Sequence, residues 1–140
     1  MSRRAAHGTL VYSTGNEGFK LIVEVDPELG RLYRSLIPKY LHPQPTRYPP
    51  HITVVRRETP PASWRWRHLD GCQITFFYDP EVQYNEVYFW LRCWSQSLIE
   101  IRLDFGLPEH TEYTRPPDGE ECFHCTVANA KALRGVSNGG

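Results

Sequence analysis

His51-Ile52-Thr53-Val54 and His124-Cys125-Thr126-Val127 read almost alike, and their pattern decides how the rest of the chain is understood. Each follows a proline-rich or acidic loop and has the composition of a strand. Alternation then puts His and Thr on one face and the apolar residues on the other. If the two strands are neighbours, two imidazoles and two hydroxyls converge on one spot. That quartet suits a phosphodiester: one imidazole takes a proton from the attacking oxygen, the other gives one to the leaving oxygen. The threonines donate hydrogen bonds to the phosphoryl oxygens.

Working outward, each motif closes a run of the same element order. In the first half, Gly8 to Tyr12 and Phe19 to Val25 alternate like strands, with a hairpin composition from Ser13 to Gly18 between them. Asp26-Pro27-Glu28 then supplies an N-cap, a proline at the first helical position and an acid in the first turn. Leu29, Leu32, Tyr33, Leu36 and Ile37 keep the helical period until Pro38 stops it, and Pro43 to Pro50 leads into the strand from His51 to Arg57.

In the second half, Gln73 to Tyr78 and Glu86 to Cys93 are strand-like, and Ser95 or Ser97 can cap a helix with Leu98, Ile101 and Phe105 on one side. Gly106 and Pro108 end it, and a polar loop from Glu109 to Glu121 delivers the strand Phe123 to Asn129. Both halves read strand, strand, helix, His-bearing strand. The two histidines lie 73 positions apart, and the repeated order predicts an α+β, bilobal single domain spanning 1–140. Its pseudo-symmetric lobes are 8–57 and 71–131 around a central groove, with 132–140 as a flexible tail. His7-Gly8-Thr9 is a third H-x-T beside the terminus, outside that equivalence, and is given no role. His42, His68 and His110 fall in loops without partners and also receive none.

Composition narrows the partners. With 40% apolar and 13% aromatic residues in 140, the chain can bury a core as one domain. Lys plus Arg equals Asp plus Glu at 16 each, so the basic signature of a general nucleic-acid coat is missing, and any nucleotide ligand is expected to be small or held in a local pocket. No apolar run reaches the length of a membrane span, and Met1 to Ala6 is not followed by a signal-peptide core, so a cytoplasmic protein without membrane contact is expected.

Four cysteines in that setting are expected as free thiols, with Cys72 and Cys93 in core-like strands. Cys122 and Cys125 form a C-x-x-C around His124, which invites a zinc or redox reading. In a strand, however, residues three apart point to opposite faces, and no second C-x-x-C or H-x-x-H completes four ligands. No metal and no cofactor is expected.

On these motifs the chain resembles the 2H phosphoesterase superfamily, which includes RNA-ligase-type 2',3'-cyclic phosphodiesterases. Within it the chain is most similar to the phage anti-CBASS nucleases, which destroy cyclic oligonucleotide messengers of bacterial immunity. The resemblance is carried by Gly8-Thr9-Leu10 with Tyr12, Val25-Asp26-Pro27, Ile37-Pro38-Lys39-Tyr40, Pro50 to Arg56, Glu86 to Leu91, Glu100-Ile101-Arg102-Leu103 and Phe123 to Thr126. It implies a 2H-like bilobal fold and metal-independent cleavage of 3'-5' bonds in cyclic di- or trinucleotides, in the host cytoplasm if phage-encoded. Catalysis would rest on His51, Thr53, His124 and Thr126, with a ribose 2'-hydroxyl as nucleophile. Which histidine is the base stays open. The alternatives are an RNA 2',3'-cyclic phosphodiesterase, a sponge that binds cyclic nucleotides without cleaving them, and a zinc-stabilised interaction module.

Base recognition is expected from the strand Glu86 to Arg92. Alternation places Val87, Phe89 and Leu91 on the helix-covered face and Glu86, Tyr88, Trp90 and Arg92 on the open one. Tyr88 and Trp90 either stack on bases or pack structurally, Arg92 can meet a phosphate or a guanine edge, and Tyr12 is a further stacking candidate. Arg56 and Lys131 flank the motifs as sources of positive potential or as ordinary surface charge. Trp64 and Trp66 either cover the groove or cap the core.

Overall fold

A computed structural model describes residues 2–131, and in it the chain is an α+β protein built on one antiparallel sheet with two helices. The strands are β1 (Arg4–Gly15), β2 (Gly18–Val25), β3 (His51–Arg56), β4 (Gln73–Tyr78), β5 (Gln83–Tyr84), β6 (Tyr88–Trp94) and β7 (Phe123–Asn129). Helix α1 (Pro27–Ser35) follows β2 and α2 (Gln96–Asp104) follows β6. The sheet order is β4-β1-β2-β3-β7-β6-β5, and β4 also pairs with β6 through Phe77 with Trp94 and Tyr78 with Cys93. Six strands therefore form a closed circuit, so the two halves expected as lobes share one sheet. Residues 132–140, read from sequence as a tail, lie outside the described residues. No helix among the described residues is long and apolar enough to cross a membrane.

Strand β1 starts four residues before the Gly8 expected from sequence and serves two neighbours. Its first half pairs with β4 and its second with β2, down to the tight turn in which Gly15 faces Gly18. Gly18 takes a positive φ of 82° there, a conformation that costs glycine little. Where the two pairings overlap, at Gly8, a Cβ would lie 2.2 Å from Val23 Cγ1 and 2.8 Å from the Glu24 carbonyl oxygen. The backbone contact cannot be relieved by a rotamer change. Gly8→Ala is therefore expected to cost about 1 to 3 kcal/mol of stability, read from a urea midpoint.

Helix α1 begins as expected: the Asp26 carboxylate accepts from the Glu28 amide at 3.0 Å, with Pro27 behind it. The predicted apolar stripe is only partly buried. Tyr33 and Ile37 join the core, while Leu32 and Leu36 stay 50% and 64% exposed. The helix meets the rest of the molecule along a narrow line at Gly30, where a Cβ would come within 3.0 Å of the Pro50 ring. That contact seats the helix against the residue preceding His51.

Helix α2 is capped by Ser95, whose hydroxyl accepts from the Leu98 amide at 3.3 Å and donates to the Thr75 carbonyl at 3.0 Å. It buries Leu98, Ile101 and Phe105, as the period predicts. It also buries Arg102 completely. That guanidinium donates to the Val54 carbonyl at 2.7 Å, to the Pro108 carbonyl at 2.7 Å, and to both oxygens of Glu58 at 2.9 and 2.7 Å. Arg102 thus ties α2 to β3 and to the loop that follows α2.

Candidate active site

Strands β3 and β7 are adjacent and antiparallel, with Ile52 opposite Cys125. Counting outward from that pair sets His51 across from Thr126 and Thr53 across from His124, all four on one face. Ile52 and Cys125 are fully buried on the other face. The register brings together what the sequence left 73 positions apart.

The quartet floors a cleft of about 270 Å³. Thr46, Arg47, Tyr48 and Pro49 form one wall, Arg56 and Tyr88 extend the floor, and Pro117, Asn129 and Lys131 complete the lining. The proline-rich wall is held by short-range contacts. Gln44 exchanges backbone hydrogen bonds with Asn129 at 2.8 and 3.0 Å, and the Thr46 hydroxyl donates to the Tyr48 carbonyl at 2.6 Å.

The histidines differ in environment. Nδ1 of His51 lies 2.9 Å from the Pro49 carbonyl oxygen. A carbonyl only accepts, so Nδ1 carries the proton and the neutral ring keeps its lone pair on Nε2. His124 is more enclosed, and burial lowers its pKa to about 4; the nearby His51 and Arg56 push the same way. The Thr114 backbone and Asp118 oppose the shift, although no group meets hydrogen-bond geometry at the buried Nδ1. His124 is therefore neutral at pH 7.

This has a consequence for stability. The folded value lies below the usual His value of about 6.5, so the unfolded chain binds the proton more readily. The contribution is complete above about pH 6.5 and is lost as pH falls towards 4, about 3 kcal/mol in all. Denaturant melts between pH 7 and 4 are expected to show this slope, and His124→Asn is expected to flatten it.

The five other positions read from sequence divide. Tyr88 lines the cleft, with Lys131 Nζ 5.2 Å from its ring centroid. Tyr12 does not: it is 3% exposed, stacks edge-on against Trp66 at 5.0 Å, and burial raises its pKa to about 12. It is a core residue because β1 turns its even positions inward there. Trp66 joins the same aromatic cluster with Phe19 and Phe105, so it caps the core, while Trp64 stays exposed.

Trp90 and Arg92 lie on the cleft side of β6, across from Thr126 and His124, yet neither lines the cleft. Trp90 is buried, and Arg92 is clamped between Asp79 and Glu120 at 2.9 Å each. Through Glu120 it fastens the loop that carries Thr114 and Pro117 beside His124. Glu86 sits exposed at a turn with φ of 78°, away from the cleft.

Alternation also missed Asn129. A bulge in the β6–β7 ladder pairs Trp90 with Thr126 but Phe89 with Ala128, so Val127 is the extra residue and the side-chain parity of β7 flips after it. Asn129 then faces the cleft with Tyr88. Arg47 and Tyr48 were missed for another reason: a loop has no period to read. Cys122 and Cys125 are buried, with thiols pushed up to about 12 mainly by that burial. Neither a family model, nor a curated protein, nor a solved structure matches the chain.

Proposed function

We propose that this protein is a metal-independent phosphodiesterase of the 2H type that cleaves 3'-5' bonds in cyclic di- or trinucleotides, in the manner of an anti-CBASS nuclease. The observation that carries the reading is the register of β3 against β7, which gathers His51, Thr53, His124 and Thr126 on the floor of one cleft. Support for a duplicated, two-lobed plan comes from the pairing circuit. Exchanging β1, β2 and β3 with β4, β6 and β7 leaves the ring of pairings unchanged.

His51 is the general base. Its Nε2 lone pair accepts the proton of a ribose 2'-hydroxyl as that oxygen bonds to the adjacent phosphorus. The bond from phosphorus to the 5'-oxygen breaks, and that oxygen takes a proton from His124, leaving a 2',3'-cyclic phosphate and a free 5'-hydroxyl. His124 reaches its acidic form when an anionic phosphate enters, because a negative charge offsets the desolvation that holds its pKa near 4. Thr53 and Thr126 donate to the nonbridging oxygens as charge builds on them. Arg56 and Lys131 add positive potential at the same place.

The cleft's 270 Å³ falls just under the roughly 300 Å³ at which pockets begin to enclose a drug-sized ligand. It accommodates one nucleotide unit, which also favours a second reading, opening of 2',3'-cyclic phosphates at RNA ends. The test is incubation with cyclic dinucleotides and with a 2',3'-cyclic mononucleotide in EDTA, followed by chromatography. Cleavage of the first supports the proposal, cleavage of the second alone supports the other reading, and binding without cleavage of either leaves a sponge.

A further inference from the structure

Beside the cleft lies a larger groove of about 600 Å³, lined by Arg31, Arg34 and Ser35 of α1, by Ile37 and Lys39 after it, and by His42 to Gln44. The two concavities are adjacent, since Gln44 of the groove is backbone-paired with Asn129 of the cleft. Their charge is one-sided. The chain has equal numbers of acids and bases, 16 of each, yet the two linings hold six Lys or Arg and no Asp or Glu among the described residues. Arg31 is already paired with Glu28, while Arg34 and Lys39 make no ion pair among the described residues. A zero net charge in the sequence hides this segregation.

We infer that the groove binds the phosphates of the substrate beyond the scissile one, so that the preferred substrate is an oligonucleotide and not a mononucleotide. The inference rests on the proposed phosphodiester reading of the cleft and follows from size as well as charge. A cleft of about 270 Å³ lies below the roughly 300 Å³ at which pockets begin to enclose a drug-sized ligand, so most of a longer ligand must lie outside it. The adjoining cationic groove meets the phosphates, and Arg47, three residues after the groove's Gln44, adds a further cation on the cleft side. Contacts of this kind carry no base specificity and are sensitive to salt.

The test is binding of fluorescein-labelled 2'-deoxy ligands, which lack the attacking hydroxyl: a linear pentanucleotide, a cyclic trinucleotide and a dinucleoside monophosphate. Arg34→Gln with Lys39→Gln is expected to weaken the pentanucleotide at least tenfold, with the dinucleoside monophosphate unchanged. Loss for the cyclic trinucleotide as well supports the groove's role toward the proposed cyclic substrate; no loss for it confines the groove to linear strands and overturns that role. The wild-type pentanucleotide affinity should also fall more steeply with salt, by about 0.7 in the log-log slope per phosphate engaged. Equal effects on all ligands, or none, overturn the inference. Cleavage of the ribose forms is scored separately: binding as described without cleavage keeps the groove and removes the nuclease.

Discussion

His51→Ala and His124→Ala are each expected to lower the cleavage rate by about 10² to 10⁴ while cyclic-nucleotide binding persists, because general acid–base transfer contributes on that scale. The two losses should not multiply, since proton removal and proton delivery serve one transition state. Rates come from product formation and affinities from titration on the same preparations. Thr53→Val and Thr126→Val should cost less, about 2 to 4 kcal/mol each for a donor aimed at developing charge. A 2'-deoxy substrate should resist cleavage altogether. If it is cut as fast as the ribose form, water is the nucleophile and the role given to His51 Nε2 is wrong. Full activity in His51→Ala would remove the quartet from catalysis.

The largest expected effect on stability lies away from the cleft. Arg102 is fully buried and satisfies two backbone carbonyls together with the Glu58 carboxylate, whose side chain is only 9% exposed. Arg102→Ala removes one partner of that pair and leaves a charge and two carbonyls unpaired inside, at an expected cost of about 3 to 5 kcal/mol by urea denaturation. Because Arg102 grips Val54, one residue past Thr53, the variant should also loosen β3 and depress activity even where it still folds. Pairing Arg102→Met with Glu58→Leu should recover much of the stability, since a buried ion pair replaced by apolar groups is often near neutral. A loss below about 1 kcal/mol for Arg102→Ala would mean that water reaches this cluster freely.

The two histidine motifs, the caps at Asp26 and Ser95 and the core faces of the strands were legible in the chain because each depends on residues only a few positions apart. Period two separates His51 and Thr53 from Ile52, and an N-cap needs only an acceptor two or three residues from an amide. Tyr12 and Trp90, offered as stacking candidates, are both buried: alternation sets Trp90 on a face without saying whether that face is wet, and a place in the first hairpin does not say which way Tyr12 turns. The overlying loop closes over Arg92 through Glu120, and the first hairpin folds Tyr12 into the Trp66 cluster.

What the amino-acid order determined by itself was local: which segments extend, which coil, and which side chains share a face. The tertiary structure alone decided that β3 lies beside β7 with Ile52 against Cys125, that a bulge at Val127 turns Asn129 into the cleft, and that the basic residues of α1 and the proline-rich loop gather in adjoining hollows. These are pairings between distant parts of the chain. Their free energy depends on register and packing across the sheet, which neighbouring residues in the sequence do not encode.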